Sequence, residues 1–519
     1  MSRHSLPVFL RIAIQSCFAG LFMLSMLITG DQWSTLSSAM ASVQFVPLFL
    51  SILALPSLLA VSFFLSIAVC TVLFGRFYCA AICPLGAMMD FSSFLNRRKI
   101  FSFKTPRRIL QLSIFLAVVL TAAAGFPLLL DITEPYGIFA RGIRVIFRPL
   151  YAALIAFWNW IASFSGLYGP DPVSLEINMV LIAASALSFL SVALVSFFFG
   201  RLFCRTLCPS GTVFEYLAKR PVFGIRIEDE CLACRSCANV CPASCIEIEK
   251  KEVDSGRCVL CLSCLSVCPN KSIRYGFTMK KKSVSISVTE NKIVNRIITR
   301  RDFFALSVTG LLSFILPSAL KKTIFFGGTR EAVTLSGITR TLSIAPGAVD
   351  LARFQRFCTG CGLCVSRCPT GVIRFLNPVQ GLYPFLDFSR GYCTYDCIVC
   401  SRVCPTGALL PLSASSKHTV SVGTSIFERS RCIVITKGTS CGACAEHCPT
   451  GAVTMHALEK GKPTEPVLET DLCVGCGACE KICPAVPLKA IWVSGLTQHR
   501  TAKLPSGGST GTATGDFSF

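Results

Sequence analysis

The sequence is short of charge. Only 15% of its 519 residues are Asp, Glu, Lys or Arg, against about a quarter in ordinary soluble chains, while 52% are hydrophobic and mean hydropathy is +0.61. One soluble core does not produce such a balance; long uncharged runs do. Acidic residues are the scarcer sign, 28 against 50 basic ones, leaving a formal charge of +22. An excess of that size raises nucleic acid as a partner, but the basic stripe that such a surface needs is missing. Lys and Arg sit instead in short clusters beside apolar runs, as they do in the cytoplasmic loops of membrane proteins, so nucleic-acid binding is set aside. A cleavable leader is also missing: the first apolar run, Ile12 to Gly30, is long enough to span a bilayer and lacks a small-residue cleavage site.

What is present begins with those runs. Stretches of about twenty residues, enough to cross a bilayer as helices, occur near 12–30, 57–74, 109–130 and 177–199; a fifth, 303–320, is shorter and contains Pro317. Residues 145–166 hold Arg148, Pro149, Trp158, Asn159 and Trp160, which suits an interfacial helix with aromatic anchors better than a span. Arg3, Arg11, the basic cluster at 97–108, Lys219 and Arg220 then predict four spans with the N-terminus inside. Arg141, Arg144 and Arg148 run against that rule, in an outer loop opening with Asp131 and Glu134. Within this membrane domain, residues 1–220, Phe74-Gly75-Arg76-Phe77-Tyr78-Cys79 through Cys83-Pro84-Leu85-Gly86 recurs 125 residues later as Phe199-Gly200-Arg201-Leu202-Phe203-Cys204 through Cys208-Pro209-Ser210-Gly211. Each copy ends an apolar run and is followed, seven residues after its second cysteine, by an acid, Asp90 or Glu215. Such repeats tend to build a site where they meet. Cys79, Cys83, Cys204 and Cys208 could ligate a further metal centre or act as redox thiols, or merely shape a cytoplasmic turn. Arg76 and Arg201 read as lipid-headgroup anchors, and the two acids as first-turn residues of interfacial helices or proton-handling groups.

Thirty-one cysteines in a long chain without a secretory leader point to metal rather than disulfides. From residue 221 the composition turns soluble and cysteine-rich, at 221–278, 351–412 and 431–495. The first unit carries Cys231, Cys234, Cys237, Cys241-Pro242 and Cys258, Cys261, Cys264, Cys268-Pro269. Both fit the C-x2-C-x2-C-x3-C-P run of bacterial two-cluster ferredoxins, in which the fourth cysteine ligates the other cluster. Three cysteines of a tight loop reach three corners of one cubane, and the proline turns the fourth away. Cys231, Cys234, Cys237 and Cys268 are thus expected on one cluster, and Cys258, Cys261, Cys264 and Cys241 on the other. The second unit has Cys358, Cys361, Cys364, Cys368 and, one residue longer, Cys393, Cys397, Cys400, Cys404. The third has Cys432, Cys441, Cys444, Cys448 and Cys473, Cys476, Cys479, Cys483. By the same rule Cys404 and Cys368 trade clusters, as do Cys483 and Cys448. Zinc ribbons use separated pairs without the third cysteine and trailing C-P. Six [4Fe–4S] clusters are therefore expected, on three α+β ferredoxin-like domains carried by a helical membrane domain. The ligands and the four membrane thiols leave Cys17, Cys70 and Cys245 as plain thiols. Residues 279–302 read as a basic linker and 496–519 as a disordered tail.

The paired Phe-Gly-Arg-x-x-Cys-x3-Cys-Pro-x-Gly motifs before a two-cluster ferredoxin resemble the NapH, NosR and MauN membrane ferredoxins, over residues 1–278. The part from Arg300 onward is similar to the NapG/MauM type, with a twin-arginine-like start at Arg300-Arg301. The resemblance implies a fused quinol dehydrogenase of the bacterial cytoplasmic membrane. It would draw on the quinone pool, with quinone as substrate, and pass electrons to a periplasmic reductase or cytochrome. The C-terminal ferredoxins would then lie in the periplasm if 303–320 spans. Glu134, Tyr136 and Arg141, with 76–90 and 201–215, are candidates for the quinone site. The alternatives are a maturation factor that reduces a partner's metal or cofactor, and a cytoplasmic ferredoxin:quinone exchanger.

Overall fold

The computed structural model describes residues 6–28, 31–96, 108–123, 128–165, 179–278, 333–335, 338–375, 383–457 and 464–504. The basic linker, the 303–320 segment with its Arg300-Arg301 pair, and the chain from 505 lie outside the described residues.

The first 220 residues are helical: α1 (Leu6–Leu27), α2 (Asp31–Ser42), α3 (Phe45–Ala54), α4 (Leu58–Phe74), α5 (Phe77–Ala81), α6 (Pro84–Leu95), α7 (Arg108–Ala123), α8 (Leu128–Thr133), α9 (Pro135–Gly142), α10 (Arg148–Ser165), α11 (Met179–Phe199), α12 (Leu202–Thr206) and α13 (Pro209–Leu217). A π-turn, Ile143–Phe147, joins α9 to α10. The long helices are uniformly apolar and leave large side chains such as Leu58, Leu59, Leu116, Leu154, Leu187 and Phe198 exposed. Contiguous apolar surface of this kind is expected where lipid or another protein covers it.

The four runs expected as spans are α1, α4, α7 and α11, although α4 and α7 are only 17 and 16 residues long. Residues 145–166, expected as an interfacial helix, belong to a longer helical run. Pro135–Phe164 is one helical run of 30 residues, apolar and long enough to cross a membrane, as are Leu6–Leu27 and Ile182–Phe199. The π-turn lets the run pass through the three arginines without breaking, since one extra residue in a turn re-aims side chains and leaves the helix continuous. Helices α2 and α3, bent by 91°, were also not anticipated. Their tip is buried: the Tyr78 hydroxyl donates to Gln44 Oε1 at 2.9 Å and accepts from the Phe45 amide at 3.0 Å.

The cysteine-rich units are small hairpin folds. In the first, β1 (Phe223–Ile227) pairs antiparallel with β4 (Ile273–Phe277), and β2 (Ile246–Glu247) with β3 (Glu252–Val253). Further along, β5 (Val333–Leu335) pairs with β6 (Ile338–Arg340), and β7 (Ile373–Phe375) with β8 (Pro384–Leu386). Strand β9 (Val420–Phe427) pairs with β12 (Ile491–Thr501), and β10 (Val453–Ala457) with β11 (Thr464–Leu468). Strand β12 corrects the expected disordered tail, which is ordered strand as far as Thr501. Ile491 and Val493 alternate into the core, which holds the strand's register. The second and third units are also joined, the Cys393 amide donating to the Cys476 carbonyl at 2.8 Å, and Arg340, just ahead of the second unit, forms a buried ion pair with Glu480 of the third at 2.6 Å.

Candidate metal centres

The cysteine loops are shaped by backbone. On either side of the second cysteine in four motifs, φ is positive: Ala233 and Arg235, Leu260 and Leu262, Gly360 and Gly362, Gly475 and Gly477. A left-handed residue with a side chain costs about 1–2 kcal/mol, so the first unit, with Ala, Arg and two Leu there, carries strain that glycine relieves in the others. The turn aims successive amides inward, forming a nest for negative charge. Leu409 N donates to Cys404 Sγ at 3.4 Å, and the Gly360 amide faces Cys358.

Three cavities follow from these loops. One is walled by Cys231, Cys234, Cys237 and Cys268, another by Cys368, Cys393, Cys397 and Cys400, and a third by Cys432, Cys441, Cys444 and Cys483. In each, three thiols come from one motif and the fourth from its partner motif. In the other three quartets, the strongest thiol neighbours of Cys264 are Cys261, Cys258 and Cys241, those of Cys364 are Cys358, Cys361 and Cys404, and those of Cys479 are Cys476, Cys473 and Cys448, with Cys237, Cys400 and Cys444 of the adjoining sites acting more weakly. Burial, and then repulsion between neighbours, pushes the Cys264, Cys364 and Cys479 thiols up. Thiols in that state ionise when a cation arrives to share their charge. Among the described residues no three His, Cys, Asp or Glu groups are spaced to hold a single metal ion. The all-sulfur donor sets and inward amides fit a polynuclear iron–sulfur core.

The membrane motifs meet around an approximate two-fold. Gly75 and Gly200, at φ +86° and +63°, end α4 and α11 and turn the chain sharply. Arg76 Nη2 then donates to the Cys204 carbonyl at 3.3 Å, and Arg201 Nη1 to the Cys79 carbonyl at 2.7 Å, each arginine bracing the other copy's cysteine turn. The reading of these arginines as headgroup anchors is therefore wrong: they are 0% and 1% exposed. The motif's last glycine has a matching reason, since a Cβ on Gly86 would lie 2.7 Å from the Cys79 carbonyl oxygen. Asp90 lies in the middle of α6, not its first turn, and is paired with Arg201 at 2.7 Å and Arg11 at 2.9 Å. Glu215, in α13, accepts from Gln111 at 3.0 Å. Cys79, Cys83, Cys204 and Cys208 are all buried and lie close enough to interact electrostatically. Arg76 Nε and Nη1 are buried beside them without a hydrogen-bond partner. Of the remaining cysteines, Cys17 is exposed, Cys70 half-buried, and Cys245 buried against Cys241 at 3.5 Å.

Glu134, Tyr136 and Arg141 do not join the Cys79–Cys204 centre. They lie together at the junction with the second cysteine unit. Glu134 caps α9 by accepting from the Tyr136 and Gly137 amides. Burial pushes its carboxyl up to about 7 and that of neighbouring Asp131 to about 8, Arg141 opposing both shifts. Arg141 donates to the carbonyls of Asp131 and Thr359, Arg148 to that of Ser366 at 3.2 Å, and Arg144 sits over the Phe375 ring at 4.3 Å. From the other side Arg367 donates to the carbonyls of Ser25, Ile28 and Trp33. The three arginines that break the charge rule are thus docking residues. Their misfit was the one sequence signal of this interface.

The first unit docks elsewhere. Arg201 N donates to the Pro242 carbonyl at 3.0 Å, Val222 N to that of Val72 at 3.2 Å, and Arg205 to that of Ala243 at 3.1 Å. It covers the ends of α4 and α11, near Asp90 and so near Arg11 on α1, whereas the second unit holds Ser25 and Ile28. Along α1 those contacts are about 25 Å apart.

Two family models match the chain, each twice. A 4Fe-4S dicluster domain matches residues 357–408 and 437–486, and a 4Fe-4S binding domain matches 56–102 and again 181–228, the two membrane copies. The methylamine utilization ferredoxin-type protein MauM of Methylophilus methylotrophus is 32% identical over 163 residues, 30% of this chain and 72% of MauM. The ferredoxin-type protein NapG of Escherichia coli is 31% identical over 153 residues, 27% of this chain and 64% of NapG. NapF of the same organism is 27% identical over 145 residues, 28% of this chain and 82% of NapF. No solved structure matches. With its cysteine quartets and this degree of likeness to MauM, the chain belongs to the MauM/NapG family of iron–sulfur ferredoxin-type electron-transfer proteins.

Proposed function

We propose that this protein is a membrane-embedded electron conduit that takes electrons from a quinol and passes them through six [4Fe–4S] clusters to an extracytoplasmic redox partner. The observation that carries it is that the second unit holds the Ile28 end of α1, while Arg11, about 25 Å away along that helix, pairs with Asp90 beside the first unit's Cys261, a separation close to the thickness of a bilayer's apolar core. In this reading the cluster ligands are Cys231, Cys234, Cys237 and Cys268; Cys258, Cys261, Cys264 and Cys241; Cys358, Cys361, Cys364 and Cys404; Cys393, Cys397, Cys400 and Cys368; Cys432, Cys441, Cys444 and Cys483; and Cys473, Cys476, Cys479 and Cys448. Cys79, Cys83, Cys204 and Cys208 hold a further metal centre, for which the bare N–H groups of Arg76 supply compensating charge. Bound clusters accept and release one electron at a time, at potentials set by burial and by amide bonds to sulfur. The protein's own part is to exclude water, aim those amides and fix the spacing of the sites.

Residues 1–220 form a multi-pass domain of the bacterial inner membrane, with the first unit inside and the second and third outside. A protease-cleavable tag after Phe519 tests this. It should be clipped in intact spheroplasts and protected in inverted vesicles. The opposite pattern would place the C-terminal units in the cytoplasm and favour a ferredoxin:quinone exchanger.

A further inference from the structure

Between α8–α9 and α11 runs a cavity of about 680 Å³ whose wall is almost wholly apolar. Ile132, Ile138, Leu187, Val192 and Val195 line it, and one end is closed by Leu202–Leu207, the turn that carries Cys204. Four of its five hydroxyls are already spent: Ser188 donates to the Ser185 carbonyl, Ser191 to Ser188, Thr133 to Leu129 and Thr206 to Leu202. One charged side chain among the described residues enters the wall, Arg141. Behind it lie Asp131 Oδ1 and Thr359 Oγ1, buried and without partners, and the Tyr136 hydroxyl, whose one partner is the Cys361 thiol, each residue no more than 3% exposed. The Tyr136 ring also lies beside Cys361, and Arg141 reaches the carbonyl of Thr359, next to Cys358.

A ligand for this space must be mostly apolar, with a small polar head toward Arg141 and a long tail able to leave along α11 among exposed Leu187, Leu190 and Leu194. We propose that the cavity binds a lipid-soluble quinol, its ring hydroxyls at the Arg141 end and its isoprenoid tail along α11. This rests on the quinol reading above and adds the place. The ring would then lie on the side of the loop of Cys358 and Cys361, in a cavity whose far wall is the turn that carries Cys204.

The probe is a fluorescent hydroxyquinoline N-oxide, a quinol analogue, titrated into the full-length protein in lipid nanodiscs and read by fluorescence quenching. The wild type should show one saturable site, displaced by decyl-quinone and not by short-chain phosphatidylcholine. Ser188→Trp, which fills the cavity, and Arg141→Leu, which removes its charge, should each weaken binding roughly tenfold or more. Leu112→Trp, on the outer face of α7, should not. Ser188→Trp keeps the docking contacts of Arg141, so it separates loss of site from loss of fold. If both cavity variants bind like wild type, the placement is wrong while the quinol reading stands. If the wild type does not bind the probe at all, the quinol reading itself fails, and displacement by phosphatidylcholine would make the cavity a lipid crevice.

Discussion

At the scale of single residues, the fourth cysteine of each motif is the sharpest commitment, because it serves a site remote in sequence. Cys241 is expected on the cluster of Cys258, Cys261 and Cys264, and it acts electrostatically on both Cys261 and Cys264. Cys241→Ser should therefore perturb the cluster of Cys258, Cys261 and Cys264, seen as altered EPR of one cluster with the Cys231 site unchanged; loss of the Cys231 site instead would refute the crossing. Arg201 is the second commitment. Removing it leaves half-buried Asp90 with Arg11 alone, and breaking a fully buried pair typically costs about 3–5 kcal/mol, an upper bound here. Arg201→Ala should lower the melting temperature well below that of Arg205→Ala, whose guanidinium is half-exposed. Equal melting would mean that the crossed arginines do not hold the two copies together. The cysteines were legible in the sequence because ligand spacing is dictated by a cubane's corners. The arginines were misread because a basic residue at a helix end looks the same whether it faces headgroups or crosses to a neighbouring turn.

At the scale of elements, the four apolar runs were visible from hydropathy, which sums over many residues and tolerates local error. The 135–164 run was not, since its arginines and tryptophans look interfacial until a docking partner for them is known. Strand β12 was missed for a related reason: Gly495 and the polar Thr497–His499 suggest a loose tail, and only pairing with β9 makes them strand. That pairing carries a pH signature. Burial lowers His499 to about 4 from an ordinary value near 6.5. The unfolded strand thus binds a proton that the folded one refuses, and stability falls as pH drops from about 6.5 toward 4. Protection factors of the β9 and β12 amides, taken relative to the intrinsic exchange rate at each pH, should be lower at pH 5 than at pH 7, and His499→Gln should flatten the difference. An unchanged pH effect in that variant would assign it to another group.

At the scale of the whole molecule, the sequence separates membrane and cysteine-rich parts by composition alone, but says nothing of which unit docks where. That depends on carbonyls presented by Ser25, Ile28, Thr359 and Ser366, which any residue could supply. The second unit docks on α1 and the first on the ends of α4 and α11, with four buried thiols between the two membrane copies, and the proposed conduit requires that the quartets hold iron. Anaerobic purification of the full chain followed by metal analysis and Mössbauer spectroscopy tests this most directly. The account predicts about 24 iron per chain as [4Fe–4S], six clusters of four, plus an excess that disappears when Cys79 and Cys204 are both replaced by serine. Iron near eight, or stoichiometric zinc in its place, would contradict it.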